Sequence, residues 1–303
     1  MKFSTAGKFS RFAMRAALIA GSALALSASS SLSAPATQQV DLKLVLATDV
    51  SGSINDEEFD LQRQGTADAF MDPEVVKSIQ NGALGRIAVA MFDFSSPEYA
   101  KVIIDWHIIR DKASATAFSE LVRNSPRSPG RRTSVSSALE LGSTLIEASA
   151  GDIVATRKVI DVSGDGPNND GNPMRETHER VIGQGIVVNG LPIMDDNANG
   201  YFTDLDKYYA ACVAGGRGSF VVVARSFKDF GLAMRHKLIL EISGIEPETK
   251  FGQNVPATKG LLTKVAAGDN PLNAPQVIRP GQNEFSEHCD INGGFFGRGF
   301  NRF

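Results

Sequence analysis

Three oxygen-bearing side chains stand at alternate positions at the end of the run Leu44 to Ser53, which reads Leu-Val-Leu-Ala-Thr-Asp-Val-Ser-Gly-Ser: Asp49, Ser51 and Ser53. One carboxylate and two hydroxyls form a hard-oxygen set, suited to Mg²⁺ or Mn²⁺ rather than to zinc. Gly52 stands between the serines, where the backbone must bend tightly. The apolar residues before Asp49 suit a strand buried on both faces. Asn55, followed three residues later by Glu58, reads as a capping box that opens a helix. The three oxygens are therefore expected at the C-terminal end of a central strand, where open α/β sheets bind ligands.

Asp-x-Ser-x-Ser after an apolar strand resembles the first metal-binding motif of the von Willebrand factor A-type (vWA) domain, whose members carry a metal-ion-dependent adhesion site. The resemblance implies two further loops. The second would supply a threonine just before a helix, and Thr133 stands there in Gly-Arg-Arg-Thr-Ser. The third would supply an aspartate just past the next buried strand, and Asp165-Gly166 stands there. The usual Thr-Asp-Gly of that loop is here Ser163-Gly164-Asp165-Gly166, and Asp161, four residues earlier inside the strand, is the alternative. By the same resemblance the serine and threonine hydroxyls ligate directly and the aspartates directly or through water. A carboxylate of a partner would complete the shell. Each residue alone also fits a blander role: Asp49 an Asx turn, Ser53 and Thr133 helix caps, Asp165 a β-turn.

The elements that must position these residues follow from periodicity. Strands are expected at 41–49, 86–94, 102–109, 157–162, 186–193 and 219–224. Helices are expected at 56–71, 111–124, from about 135 to 149, 173–183, 205–214 and after Ser226. The best helix carries Val135, Ala138, Leu139, Gly142, Leu145 and Ile146 in an i, i+3, i+4, i+7 pattern. In the last helix Phe227, Phe230, Met234, Leu238 and Ile242 should face inward. Strands alternate with helices after one β-β step. That order predicts an α/β fold, a doubly wound and mostly parallel sheet with one antiparallel edge strand and helices on both faces. It matches the vWA order of elements from about residue 40 to 244.

Residues 1–36 read as a secretory signal peptide. Lys2, Lys8, Arg11 and Arg15 precede the short apolar run Ala16–Leu26, and Ala34-Pro35-Ala36 or Ser27-Ala28-Ser29 fits the cleavage site. The leader holds four basic and no acidic residues, so its removal takes the formal net charge from −3 to −7. An acidic mature chain argues against nucleic acid and anionic membrane as partners. No later segment is apolar for long enough to be a transmembrane helix. The expected organisation is a leader at 1–36, a vWA-like domain at 37–244, and a loosely ordered extension at 245–303 rich in Pro, Gly and Asn and ending in the low-complexity run Gly-Gly-Phe-Phe-Gly-Arg-Gly-Phe-Asn-Arg-Phe. A periplasmic or secreted location follows. Cys212 and Cys289 are the two cysteines of the chain. In an oxidising compartment they can pair and fasten the extension to the domain; the alternative is two separate thiols with Cys212 buried in a helix.

Asp195-x-Asn197-x-Asn199-Gly200, with Asp206 at the twelfth position, resembles a calcium loop, although Asp replaces the longer bidentate Glu and a strand precedes it. His107, His178, His236 and His288 lie in no metal-ligand or nucleophile motif, and the chain has no Gly-x-Ser-x-Gly elbow, phosphate loop or Rossmann glycine pattern. Arg127, Arg131 and Arg132 precede Thr133 and would steer an acidic ligand or simply face solvent. The run Val159 to Asn169, together with Tyr208-Tyr209, Cys212 and Gly215-Gly216, is similar to one bacterial vWA subgroup of secreted proteins of unknown function. The expected function is therefore a binding module, not an enzyme, that uses Mg²⁺ or Mn²⁺ at Asp49, Ser51, Ser53, Thr133 and Asp165 to bind an Asp or Glu of a protein partner. Two rivals are a metal-assisted hydrolase, with His178 as the base to test, and a passive subunit of an envelope complex.

Overall fold

A computed structural model describes residues 37–194, 204–244, 275–280 and 289. The leader, the Asp195–Thr203 part of the calcium-like loop and the Phe-rich end lie outside these residues. Strand β1 (Gln38–Asp49) is followed by helices α1 (Asp56–Met71) and α2 (Pro73–Gln80), then strands β2 (Ile87–Phe94) and β3 (Lys101–Ile109). Next come α3 (Lys112–Asn124), α4 (Val135–Ala148), β4 (Ile153–Gly164), α5 (Met174–Gly183) and β5 (Val187–Pro192). The short α6 (Leu205–Tyr208) runs into a π-helical turn (Tyr209–Val213), and β6 (Val221–Val223), α7 (Phe230–Ser243) and β7 (Gln276–Ile278) complete the series.

Among the described residues the strands form one sheet in the order β3-β2-β1-β4-β5-β6-β7. Strands β2, β1, β4, β5 and β6 are parallel neighbours, and β3 pairs antiparallel with β2 at one edge. This is the expected doubly wound α/β architecture. At the other edge β7, drawn from the C-terminal extension, pairs antiparallel with β6 through Val221↔Ile278 and Val223↔Gln276.

Alternation along β1 divides the core. Leu42, Leu44 and Leu46 point to one face, where they pack with Phe59 and Phe70 of α1, Phe118 of α3 and Phe230 and Leu238 of α7. Val45 and Ala47 point to the other, with Leu139 of α4, Val181 of α5 and Tyr208. The five inward residues expected after Ser226 are all buried. β1 therefore sits in the middle of a two-faced core, and its two sheet neighbours, β2 and β4, lead away in opposite directions. The C-terminal ends of β1 and β4 meet at this topological switch point, where a ligand crevice opens in folds of this kind.

Several boundaries follow local signals. The Asn55–Glu58 capping box forms in both directions and α1 spans 56–71 as expected. Asp111 caps α3 by accepting from the Ser114 N–H. One helix is additional to those expected and one changes. Pro73 is the first residue of α2, capped by Asp72, because a proline at that position lacks only an N–H that has no intrahelical partner. The expected 205–214 helix is a four-residue α-helix joined to a π-helical turn.

Candidate metal centre

Asp49 is the last residue of β1 and is fully buried. Its Oδ1 accepts the Ser51 N–H at 2.7 Å, an Asx turn that reverses the chain just past the sheet. The turn places the Ser51 and Ser53 hydroxyls 3.1 Å apart. Ser53 Oγ then donates to Asp165 Oδ1 at 2.9 Å, joining the loop after β1 to the loop after β4. Ser51 is buried, Ser53 exposed and Asp165 half-buried, so the oxygens run from a closed floor to an open rim.

The third segment is the 127–134 loop. The Gly52 N–H donates to the Arg131 carbonyl at 2.9 Å, and a Cβ at position 52 would stand 3.1 Å from that carbonyl. Gly52 is thus required by the close approach of a second loop, and its φ is not positive. Thr133 follows in this loop and is buried. Its N–H donates to Asn169 Oδ1 at 2.9 Å, and its carbonyl accepts from the Asn169 N–H at 2.8 Å. The Thr133 hydroxyl lies 3.4 Å from where a Cβ of Gly166 would stand, which puts it beside the residue following Asp165. The helix cap here is Ser134, whose Oγ accepts from the Ser137 N–H, so Thr133 is not the cap of α4.

Asp49, Ser51, Ser53, Thr133 and Asp165 thus come from three loops drawn together at one sheet edge. Asp161 does not join them. It points to the opposite face of β4, where it ion-pairs with Lys237 of α7. Lys237 also lies 3.4 Å from Glu241, whose other oxygen accepts from Asn189 Nδ2 at 2.9 Å. The sequence marks this buried network only by Lys237 and Glu241 one turn apart in α7. His178 is also elsewhere: its Nε2 faces the Ala214 carbonyl at 3.4 Å, and burial holds the ring below its ordinary pKa.

Electrostatics single out Asp49. Burial pushes its carboxyl well above the usual carboxylate range, the nearby Asp165 charge adds to the shift, and the hydrogen bonds from Ser51 oppose it. Asp49 Oδ2 is buried with no hydrogen-bond partner. Tyr209, also fully buried, lies against the same corner; burial first, then the charges of Asp49 and Asp165, raise its phenol well above the ordinary value. A buried carboxylate oxygen without a donor, three hydroxyls and a second carboxylate, with no sulfur or imidazole among them, is a donor set that fits a hard divalent cation. Consistent with a hydroxyl-rich arrangement, the described residues hold no group of three or more His, Cys, Asp or Glu placed to bind a metal.

Cys212, in the π-helical turn, and Cys289 form a disulfide with their Cα atoms 5.5 Å apart. No helix among the described residues is long and apolar enough to cross a membrane. Asp206, the last residue of the calcium-like pattern, accepts from the N–H of Lys207; residues 195–203 of that pattern lie outside the described residues.

A family model described as "Protein of unknown function (DUF1194)" matches residues 39–246. No curated protein matches the chain. Among solved structures, the chain is similar to pilus adhesin SpaC from Lactobacillus rhamnosus GG, at 17% identity over 68% of this chain and 32% of that one, with a TM-score of 0.48. It is also similar to a von Willebrand factor type A protein from Catenulispora acidiphila, at 15% identity over 67% and 43% of the two chains, TM-score 0.47. A third similarity is to proximal thread matrix protein 1 of the mussel byssus with a zinc-occupied MIDAS motif, at 17% identity over 68% and 49%, TM-score 0.48. The chain spans less than half the length of each of these proteins.

Proposed function

The chain belongs to the family described as "Protein of unknown function (DUF1194)", and from the oxygen cluster within the matched region we propose that it is an exported binding module that captures an acidic group of a protein partner through a divalent cation. Asp49, Ser51, Ser53, Thr133 and Asp165 would hold Mg²⁺ or Mn²⁺. The observation that carries this reading is the convergence of three loops on the Ser53–Asp165 contact, above a buried Asp49 oxygen that no donor reaches.

The bound cation would supply a Lewis-acidic position open to a carboxylate from outside. The chain's own residues prepare that position. The hydroxyls of Ser51, Ser53 and Thr133 are neutral donors, so two carboxylates alone offset the charge and an anionic ligand remains favourable. The floor is buried, which strengthens every electrostatic contact made there. Arg131 sits at the rim and is exposed, while Arg127 is held by Asp56 and the Ile54 carbonyl and Arg132 by the Asn169 carbonyl. Arg131 therefore offers a solvated positive charge beside the opening, suited to draw in an acidic partner.

The test is calorimetric titration of the protein with Mg²⁺ and with Mn²⁺, beside Asp49→Ala. Saturable one-site binding that Asp49→Ala abolishes is the expected result. It would be followed by metal-dependent capture of peptides bearing Glu or Asp over matched Gln and Asn peptides. No binding by the unaltered protein overturns the proposal.

A further inference from the structure

Tyr209 occupies a cradle made for it. Its ring rests over Gly190 of β5, where a Cβ would come within 2.7 Å of the Tyr209 Cδ1. Its hydroxyl reaches Gly164 at the end of β4. A Cβ at position 164 would stand 2.9 Å from the Tyr209 oxygen and 2.8 Å from Asp49 Oδ2. Two glycines on neighbouring strands thus leave room for one phenol, and the second of them clears the space between that phenol and the carboxylate.

The two oxygens are complementary. Both are buried and neither has a hydrogen-bond partner in the protein. A phenol has a proton to donate and an ionised carboxylate can only accept. Leaving either one unsatisfied in the interior is costly, so their common gap is where each finds its partner. The segment bearing Tyr209 is also bound to the rest of the site. Tyr208 OH accepts the N–H of Asn168 at 3.1 Å, in the loop that carries Asp165, and Asn168 Oδ1 in turn accepts the Ser136 N–H at 2.9 Å. Cys212, in the same π-helical turn as Tyr209, is bonded to Cys289. Single turns of π-helix recur at functional sites because they re-aim side chains that a regular helix would misplace.

We propose that Tyr209 is a positioning residue of this centre: its hydroxyl donates to a single water in the gap over Gly164, which in turn donates to Asp49 Oδ2 and fixes the carboxylate in the orientation that serves the cation. This rests on the metal reading of the site. The two can fail separately. The experiment is Mn²⁺ titration by calorimetry on the full chain, on Tyr209→Phe and on Asp49→Ala, with thermal unfolding of each in EDTA. Tyr209→Phe keeps the ring and deletes only the hydroxyl. The expected result is a metal-free Tm lowered by a few degrees, as for loss of one buried hydrogen-bond partner, with the Mn²⁺ Kd raised about tenfold, as for loss of a group that orients a metal ligand. A side chain that merely packs would leave the Kd unchanged, and an unchanged Kd in Tyr209→Phe overturns the proposal while the metal reading stands. Absence of saturable binding by the unaltered protein overturns both.

Discussion

Ser53 Oγ donates to Asp165 Oδ1 at 2.9 Å across a sequence separation of 112 residues. The bond ties the loop after β1 to the loop after β4 at the point where the sheet order reverses. Ser53 is exposed, so the bond contributes little to folding, and its worth lies in holding two donors at a fixed separation. Ser53→Ala is expected to leave the Tm within a few degrees of the unaltered protein and to raise the Mg²⁺ or Mn²⁺ Kd by about 10-fold or more. Thermal unfolding and calorimetry on the same preparation check both halves.

Lys237 is the single cation of a buried group with Asp161 and Glu241. Removing it strands two carboxyls in the interior, which costs about 3–5 kcal/mol. Lys237→Met should lower stability in urea by about that amount. The double variant Lys237→Met with Asp161→Asn should recover part of it, since the asparagine needs no counter-charge. Equal stability of Lys237→Met and the unaltered protein would mean the network is structurally idle.

Burial, and then the Glu241 charge, raise the Asp161 carboxyl well above the usual range, with Lys237 opposing. The neutral Thr66 of α1 lines the same small cavity as Asp161, and Asn189 is its register partner on β5, while Arg157 is engaged with the Glu241 and Ile242 carbonyls. A carboxyl with a raised folded pKa keeps its proton in the folded state after the unfolded chain has lost it. Its contribution is therefore fully present below the ordinary Asp pKa and is lost as pH rises toward the folded value. Urea unfolding measured at increasing pH above the ordinary carboxylate range should show falling stability from this group, and Asp161→Asn should flatten that slope.

The Cys212–Cys289 disulfide spans 77 residues. Closing a loop of that length in the unfolded chain stabilises the fold by about 4.5 kcal/mol on the chain-entropy model. Reduction, or Cys212→Ser with Cys289→Ser, should lower the urea midpoint accordingly. The loss should also loosen the turn that carries Tyr209, so metal affinity should fall with it, read by calorimetry with and without reductant.

The sequence by itself determined most of the elements, though not α2, β7 or the π-helical turn, and the candidate donors. The apolar run ending in Asp49, Ser51 and Ser53 became β1 and its loop, the Asn55–Glu58 box opened α1, and the helical stripe from Val135 became α4. Such signals are legible because they act within a few residues: alternation, helical period and caps depend only on near neighbours. Tertiary structure decided which of these residues meet. Whether Asp161 or Asp165 turns toward Ser53 depends on strand register, which sends Asp161 to Lys237 on one face and leaves Asp165 beyond the strand end. The Gly52 requirement comes from Arg131, and the Gly164 requirement from Asp49 and Tyr209, contacts between segments far apart in the chain. The pairing of β7 with β6 and of Cys289 with Cys212 is of the same kind. None of these leaves a local pattern, because each is fixed by how strands are ordered in the sheet rather than by the residues on either side.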